Sequence, residues 1–226
     1  MSKCKRCGED HAVELELKRS DFRVVVFGSA RIKQGDKLYD MVYELGEKIG
    51  ELGADIVTGG GPGLMEAANA GFVKGDMLDG MQDGHSIGVR IDLPFEQGHN
   101  KHLDIVEHHE RFSTRLDAFM TLSNVVIVTP GGIGTALELF YTWQLIQVGH
   151  ICKTPIILIG KMWKELIKWV EKYQVKEGLV SPEDLDVIHV VNTVDEAVEI
   201  VEKTKAAFED GAYDACLNWE VYKARL

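Results

Sequence analysis

The chain is short of basic residues, of cysteines and of long apolar runs, and each shortage closes off a class of function. Lysine and arginine number 25 against 36 aspartates and glutamates, a formal net charge of −11, and no extended basic block occurs. Nucleic-acid binding rests on clustered cations that neutralise phosphates, so nucleic acid is not an expected partner. A small anionic ligand is compatible with this charge, because a local site can hold one against the global field. No apolar run approaches the roughly 20 residues that span a bilayer, so no membrane association is expected. The opening Met1-Ser2-Lys3-Cys4-Lys5-Arg6 lacks the apolar stretch of a secretory signal, which predicts a cytoplasmic protein.

Of the four cysteines, Cys4 and Cys7 form a Cys-x-x-Cys pair with His11 nearby, half of a zinc pattern. No second pair completes the tetrahedron, so reduced thiols on an N-terminal tail are expected and no metal is predicted. Two nucleotide signatures are missing as well. There is no Gly-x-x-x-x-Gly-Lys-Ser/Thr for a triphosphate loop. The first apolar run ends in Phe27-Gly28-Ser29-Ala30 rather than Gly-x-Gly-x-x-Gly, so the usual dinucleotide fingerprint is absent too.

What the chain does have is a repeated alternation. Short apolar, β-branched runs read as buried strands at Arg23–Gly28, Asp55–Thr58, Ser86–Ile91, Asn124–Val128, Pro155–Ile159 and Val187–Val191, with a weaker one at Leu103–Val106. Between them lie helical patterns. Leu38, Met41, Val42, Leu45, Ile49 and Leu52 recur at three- and four-residue steps and end at Gly53, a plausible C-cap. Further helices are expected at Leu64–Val73, Arg111–Leu122, Ala136–Val148 and Trp163–Glu177, the last with Leu166, Ile167, Trp169 and Val170 buried. Ser181-Pro182 opens a short helix, and the capping box Thr193-x-x-Glu196 opens the final one. Residues 74–85, rich in glycine and aspartate, read as a surface loop. Strands alternating with helices predict an α/β fold: one doubly wound, Rossmann-like domain with a mostly parallel sheet flanked by helices. The domain is placed at residues 21–210, after a polar extension (1–20) and before a tail (211–226).

Two strand-to-helix junctions are rich in glycine: Gly59-Gly60-Gly61-Pro62-Gly63, and Thr129-Pro130-Gly131-Gly132-Ile133-Gly134-Thr135-Ala136-Leu137-Glu138. Both lie at strand carboxyl ends, where ligands of such sheets bind. Glycines permit close backbone approach, and the helix N-terminus that follows offers N–H groups to an anion. Glu138 lies one turn into that helix, where a carboxylate beside a phosphate cradle is electrostatically awkward. A plainer alternative exists: Thr135-x-x-Glu138 is also a capping box. Likewise Glu66 can be a first-turn acid favoured by the helix dipole, and Arg115 a solvated helical arginine. Neighbouring residues of His108-His109-Glu110 point apart, which favours solvent or subunit contact over a metal cluster. Phe27, Trp163 and Trp169 are expected in the core rather than stacked on a base.

Gly59–Asn69 (Gly-Gly-Gly-Pro-Gly-Leu-Met-Glu-Ala-Ala-Asn) and Pro130–Glu138 together resemble the Lonely Guy family of cytokinin riboside 5′-monophosphate phosphoribohydrolases. Arg115 stands about fifteen residues before the proline-glycine motif, as in the family, although Leu116 replaces the family's usual lysine. Asp92–Gln97 and Asn100 look like the family's preceding loop, and Gly75–Gly84 looks like a longer insertion able to reshape a base pocket. The resemblance implies hydrolysis of the N-glycosidic bond of AMP or an N6-modified AMP, without cofactor. It assigns catalysis to Glu138 and Arg115. It assigns nucleotide binding to Gly131, Gly132, Gly134, Thr135, Gly60, Gly61, Gly63, Ser29, Arg31, Glu66 and Asn69. It also implies a homo-oligomer of two or more copies. The alternative is a non-catalytic nucleotide or molybdenum-cofactor carrier on the same fold. Some relatives are labelled lysine decarboxylases, but nothing marks a Schiff-base lysine here.

Overall fold

A computed structural model describes residues 21–80, 84–91 and 100–211. Seven strands form one sheet: β1 (Arg23–Phe27), β2 (Asp55–Thr58), β3 (Ser86–Ile91), β4 (Ile105–His109), β5 (Val125–Val128), β6 (Ile156–Ile159) and β7 (Ile188–Val191). Their order is β4-β3-β2-β1-β5-β6-β7, and every neighbouring pair is parallel. The central strands Arg-Val-Val-Val-Phe, Val-Val-Ile-Val and Ile-Ile-Leu-Ile are buried along their whole length. A parallel strand covered on both faces has no solvated side, which is why these runs do not alternate with polar residues.

The strand period of two divides the side chains between two cores. Val24 and Val26 face α1 (Lys37–Glu51), α2 (Leu64–Asp79) and α6 (Val194–Glu209). Val25 and Phe27 face α3 (Phe112–Thr121), α4 (Ile133–Gln147) and α5 (Lys161–Val170). The chain runs outward from β1 through β2, β3 and β4, then returns to place β5 on the other side of β1. That reversal opens a crevice beyond the carboxyl ends of β1 and β5.

The loop expected over residues 74–85 is corrected. Helix α2 continues to Asp79, so Gly75 and Asp76 are helical and lie on the α1 side of the sheet rather than over a pocket. Its glycines serve helix contact. A Cβ on Gly71 would stand 1.9 Å from the Tyr43 carbonyl oxygen, and one on Gly75 1.8 Å from that of Glu47. From the other helix, a Cβ on Gly46 would come within 2.1 Å of the Ala68 carbonyl oxygen. The two backbones touch, and only glycine fits the seam. Trp169 is also corrected: it is half exposed beside Tyr173, whereas Trp163 is in the core and donates from Nε1 to Thr129 O at 3.2 Å. Helix α5 ends at Val170 and passes into a π-helical turn, Glu171–Val175.

β4 is longer than expected and takes in His108 and His109. The His109 Nδ1 lies 3.1 Å from Thr114 Oγ1, and its Nε2 3.5 Å from Glu107. Among the described residues no group of three His, Cys, Asp or Glu is placed to hold a metal ion, and no helix is long and apolar enough to cross a membrane. Cys4, Cys7 and His11, the 1–20 extension, the Asp92–Gln97 loop and the tail beyond residue 211 lie outside the described residues. Cys152, after α4, is disulfide-bonded.

Candidate functional site

The three loops at the crevice are tied to one another before any ligand arrives. Ser29 is the strut. Its backbone N–H donates to Pro130 O (3.2 Å) after β5, and its carbonyl accepts from Leu64 N (2.9 Å) at the start of α2. Its hydroxyl accepts from Arg31 N at 3.1 Å. Gly63, at φ 74°, lets α2 begin there; a Cβ would lie 2.5 Å from the Ser29 carbonyl oxygen.

The β2 loop is held by a buried amide. Asn69 accepts from Thr58 Oγ1 (2.8 Å) and Asn100 Nδ2 (3.0 Å), and donates to Ser86 Oγ (2.9 Å). Thr58 Oγ1 then accepts from Gly60 N, and Asn100 donates to Gly61 O. Asn69 is fully buried with its partners supplied by protein, so it fixes the Gly59–Gly61 turn.

At the β5 exit the capping-box alternative fails. Helix α4 begins at Ile133 with Gly132 as its N-cap, and no side chain caps it. Thr135 is therefore inside the first turn, buried beneath Gly131, and cannot pair with Glu138 as a box. Gly132 and Gly134 have open space where a Cβ would stand, so the uncapped turn presents bare amides to the crevice.

Glu138 points into the cleft and is nearly buried, with Arg115 Nη1 3.4 Å from its Oε1. That distance is long for a charge-assisted hydrogen bond, which ordinarily spans about 2.7–2.9 Å. Burial therefore outweighs the arginine and raises the carboxyl from 4.5 to about 7. Arg115 is not a solvated residue. It donates from Nε to Val89 O at 2.9 Å, and its guanidinium lies 5.1 Å above the Phe119 ring. Gly59 makes room for it, since a Cβ there would stand 2.4 Å from Nη2.

A cleft of ≈ 510 Å³ collects these groups. Of the residues expected from sequence, Ser29, Arg31, Arg115, Gly132, Gly134, Thr135 and Glu138 line it. Gly60, Gly61, Gly63, Gly131, Glu66 and Asn69 do not. The glycines shape the loops behind the wall, Asn69 is a structural hub, and Glu66 is the acid of the first turn of α2. The structure adds Gly59, Met65, Arg90, Ile91 and Phe112 to the lining. Arg90 had a visible signal, being the one charged residue in the apolar run Ser86–Ile91. Met65 and Phe112 had none that separates them from core residues.

Likenesses to known proteins bear on this site. Over 140 residues the chain is 31% identical to the pyrimidine/purine nucleotide 5′-monophosphate nucleosidase of Escherichia coli (strain K12), covering 61% of this chain and 30% of that protein. The chain thus matches less than a third of the length of that relative. The molybdenum cofactor carrier protein of Chlamydomonas reinhardtii shares the fold, with a TM-score of 0.61 and 24% identity over 82% of this chain and 99% of the other. So does the molybdenum cofactor binding protein of Rippkaea orientalis, at a TM-score of 0.59 and 21% identity over 82% and 97%. Residues 56–201 match the model of the family described as possible lysine decarboxylase; that span holds both glycine loops, Arg115 and Glu138, and the chain belongs to this family, the Lonely Guy proteins.

Proposed function

We propose that the protein is a phosphoribohydrolase that cleaves the N-glycosidic bond of a nucleoside 5′-monophosphate, giving free base and ribose 5-phosphate. The observation that carries this reading is Glu138: a buried carboxyl beside an arginine, one turn inside an uncapped helix N-terminus. The first turn of α4 takes the 5′-phosphate through backbone N–H groups, with Thr135 behind it. This puts the ribose over Glu138. As the C1′–N bond stretches, positive charge grows on the sugar ring, and the carboxylate stabilises it and orients the attacking water. Arg115 holds the Glu138 carboxylate in place from the β3 side and orients the ribose.

AMP and N6-modified AMP are the first substrates to try, as the resemblance implies. A carrier has no use for a carboxylate near a bound phosphate, so Glu138 counts against the non-catalytic alternative, which the fold likeness to cofactor carriers otherwise supports. Decarboxylation of lysine is not proposed, because among the described residues no lysine lines the cleft. Ile133, which lines the cleft, and Leu137 and Phe140 further along α4 are exposed, an apolar stripe that supports a homo-oligomer meeting near the site. A cytoplasmic location and a nucleotide-binding domain over 21–210 complete the reading.

The test is base release from nucleoside monophosphates, followed by chromatography, with Glu138→Gln alongside. Release that falls by roughly 10²-fold or more in the variant supports the hydrolase. A wild type that binds nucleotides yet releases no base sinks it in favour of the carrier.

A further inference from the structure

Arg90 is used by nothing described so far. It stands near the carboxyl end of β3, is 6% exposed and lines the cleft. Among the described residues it has neither a hydrogen-bond nor an ion-pair partner. Its stem packs on the β2 loop, where a Cβ on Gly60 would lie 3.0 Å from its Cγ. A guanidinium stays charged and offers only donors, so burying one without an acceptor is unfavourable unless a ligand supplies the acceptor. The fold says which part of the ligand that is. Three strand spacings, about 14 Å, separate β3 from β5 across the order β3-β2-β1-β5. A phosphate at the start of α4, after β5, therefore leaves Arg90 well away from it, on the β3 side of the cleft where Arg115 is anchored to Val89.

We propose that Arg90 is the base-reading residue of this site and selects 6-oxopurine nucleotides, such as GMP and IMP, over 6-aminopurine nucleotides. The inference rests on the hydrolase reading of the same cleft. The planar fork of an arginine matches a ring nitrogen and an adjacent carbonyl oxygen, the pair that a 6-oxopurine presents at N7 and O6. A 6-aminopurine puts an amino donor beside N7 and leaves one guanidinium N–H facing another donor; an N6-substituent adds bulk there. The same contact assists the reaction. When the C1′–N9 bond breaks, its electron pair passes to the base, and the negative charge that spreads to N7 and O6 meets the guanidinium. Water oxygen bonds to C1′, one of its protons ends on the base and the other stays in the new hydroxyl. Arg90 keeps its own protons throughout.

The experiment compares wild type with Arg90→Met in two readouts: base release from GMP, IMP and AMP, and calorimetric binding of GMP, AMP and ribose 5-phosphate. Wild type should favour GMP and IMP in kcat/KM by roughly 10- to 100-fold. The variant should lose most of that preference, bind ribose 5-phosphate as wild type does, and melt at a higher temperature without ligand, because a buried charge with no partner among the described residues is gone. Arg90→Lys, which keeps the charge but not the fork, should also lose the preference, and it serves if the methionine variant does not fold. Equal losses for GMP and AMP, or a parallel loss of ribose 5-phosphate affinity, overturn the assignment in favour of a phosphate contact. If wild type prefers GMP in binding but cleaves nothing, the hydrolase reading falls and Arg90 as base reader stands. If it cleaves all three equally, the reverse holds, and if it binds none, both fall.

Discussion

Replacing Glu138 by glutamine should make the protein more stable at pH 8 and leave its stability nearly unchanged at pH 4. The carboxyl titrates at about 7 in the fold against 4.5 as a free side chain. Between those values the folded state binds the proton more strongly, so stability falls as pH rises through the window. A displacement of about 2.5 units, at about 1.36 kcal/mol each, amounts to about 3 kcal/mol lost between pH 4.5 and 7. Glutamine has the same shape and no charge to bury, so this slope disappears. Urea unfolding of both proteins at pH 4, 5, 6, 7 and 8 measures it directly. The difference between variant and wild type should open progressively in favour of the variant and level off above pH 7. Parallel pH dependences would show that Arg115 at 3.4 Å fully compensates the carboxylate, and the account of the buried acid would be wrong. A gain in stability with a loss of turnover is the signature of a strained functional group.

Further outcomes follow from the same geometry. Base release should rise with pH to a plateau, with kcat/KM reporting an apparent pKa near 7 in free enzyme and kcat a higher one once a phosphate dianion sits nearby; a midpoint near 4.5 refutes the assignment. Asn69→Ala removes three side-chain hydrogen bonds and should cost about 3 kcal/mol in urea unfolding, with KM rising more than kcat falls as the Gly59–Gly61 turn loosens. A loss under about 1 kcal/mol would count against the hub. Gly71→Ala ought to improve helix propensity by about 1 kcal/mol yet destabilise overall by about 2 kcal/mol or more, because its methyl meets the Tyr43 carbonyl. Calorimetry of a stabilised alanine variant would show that the helices separate easily. Finally, Ile133→Glu should shift the protein to a smaller species in light scattering; an unchanged mass removes α4 from the subunit contact.

Local signals carried much of the fold. Val24–Phe27, Val125–Val128 and Ile156–Ile159 are buried on both faces, and in a parallel sheet that condition is written into consecutive residues. The glycine loops were legible for a related reason: turns that admit an anion need residues without side chains, and such residues are visible in any sequence. The Arg115–Glu138 association came from motif spacing rather than local physics.

Only the tertiary structure decided the rest, because it depends on what distant segments bring together. Gly71 and Gly75 look like loop residues until α1 lies against them, and then they are contact points inside a longer helix. Asn69 looks like a ligand until Thr58, Ser86 and Asn100 surround it. The acidity of Glu138 is set by burial between elements that the sequence lists far apart, and no spacing rule reports a dielectric. Arg90 shows the division most clearly. The chain alone says that a charge interrupts an apolar strand; the strand order and the cleft lining say that this charge ends up in the cleft, three strands away from the one that leads into α4.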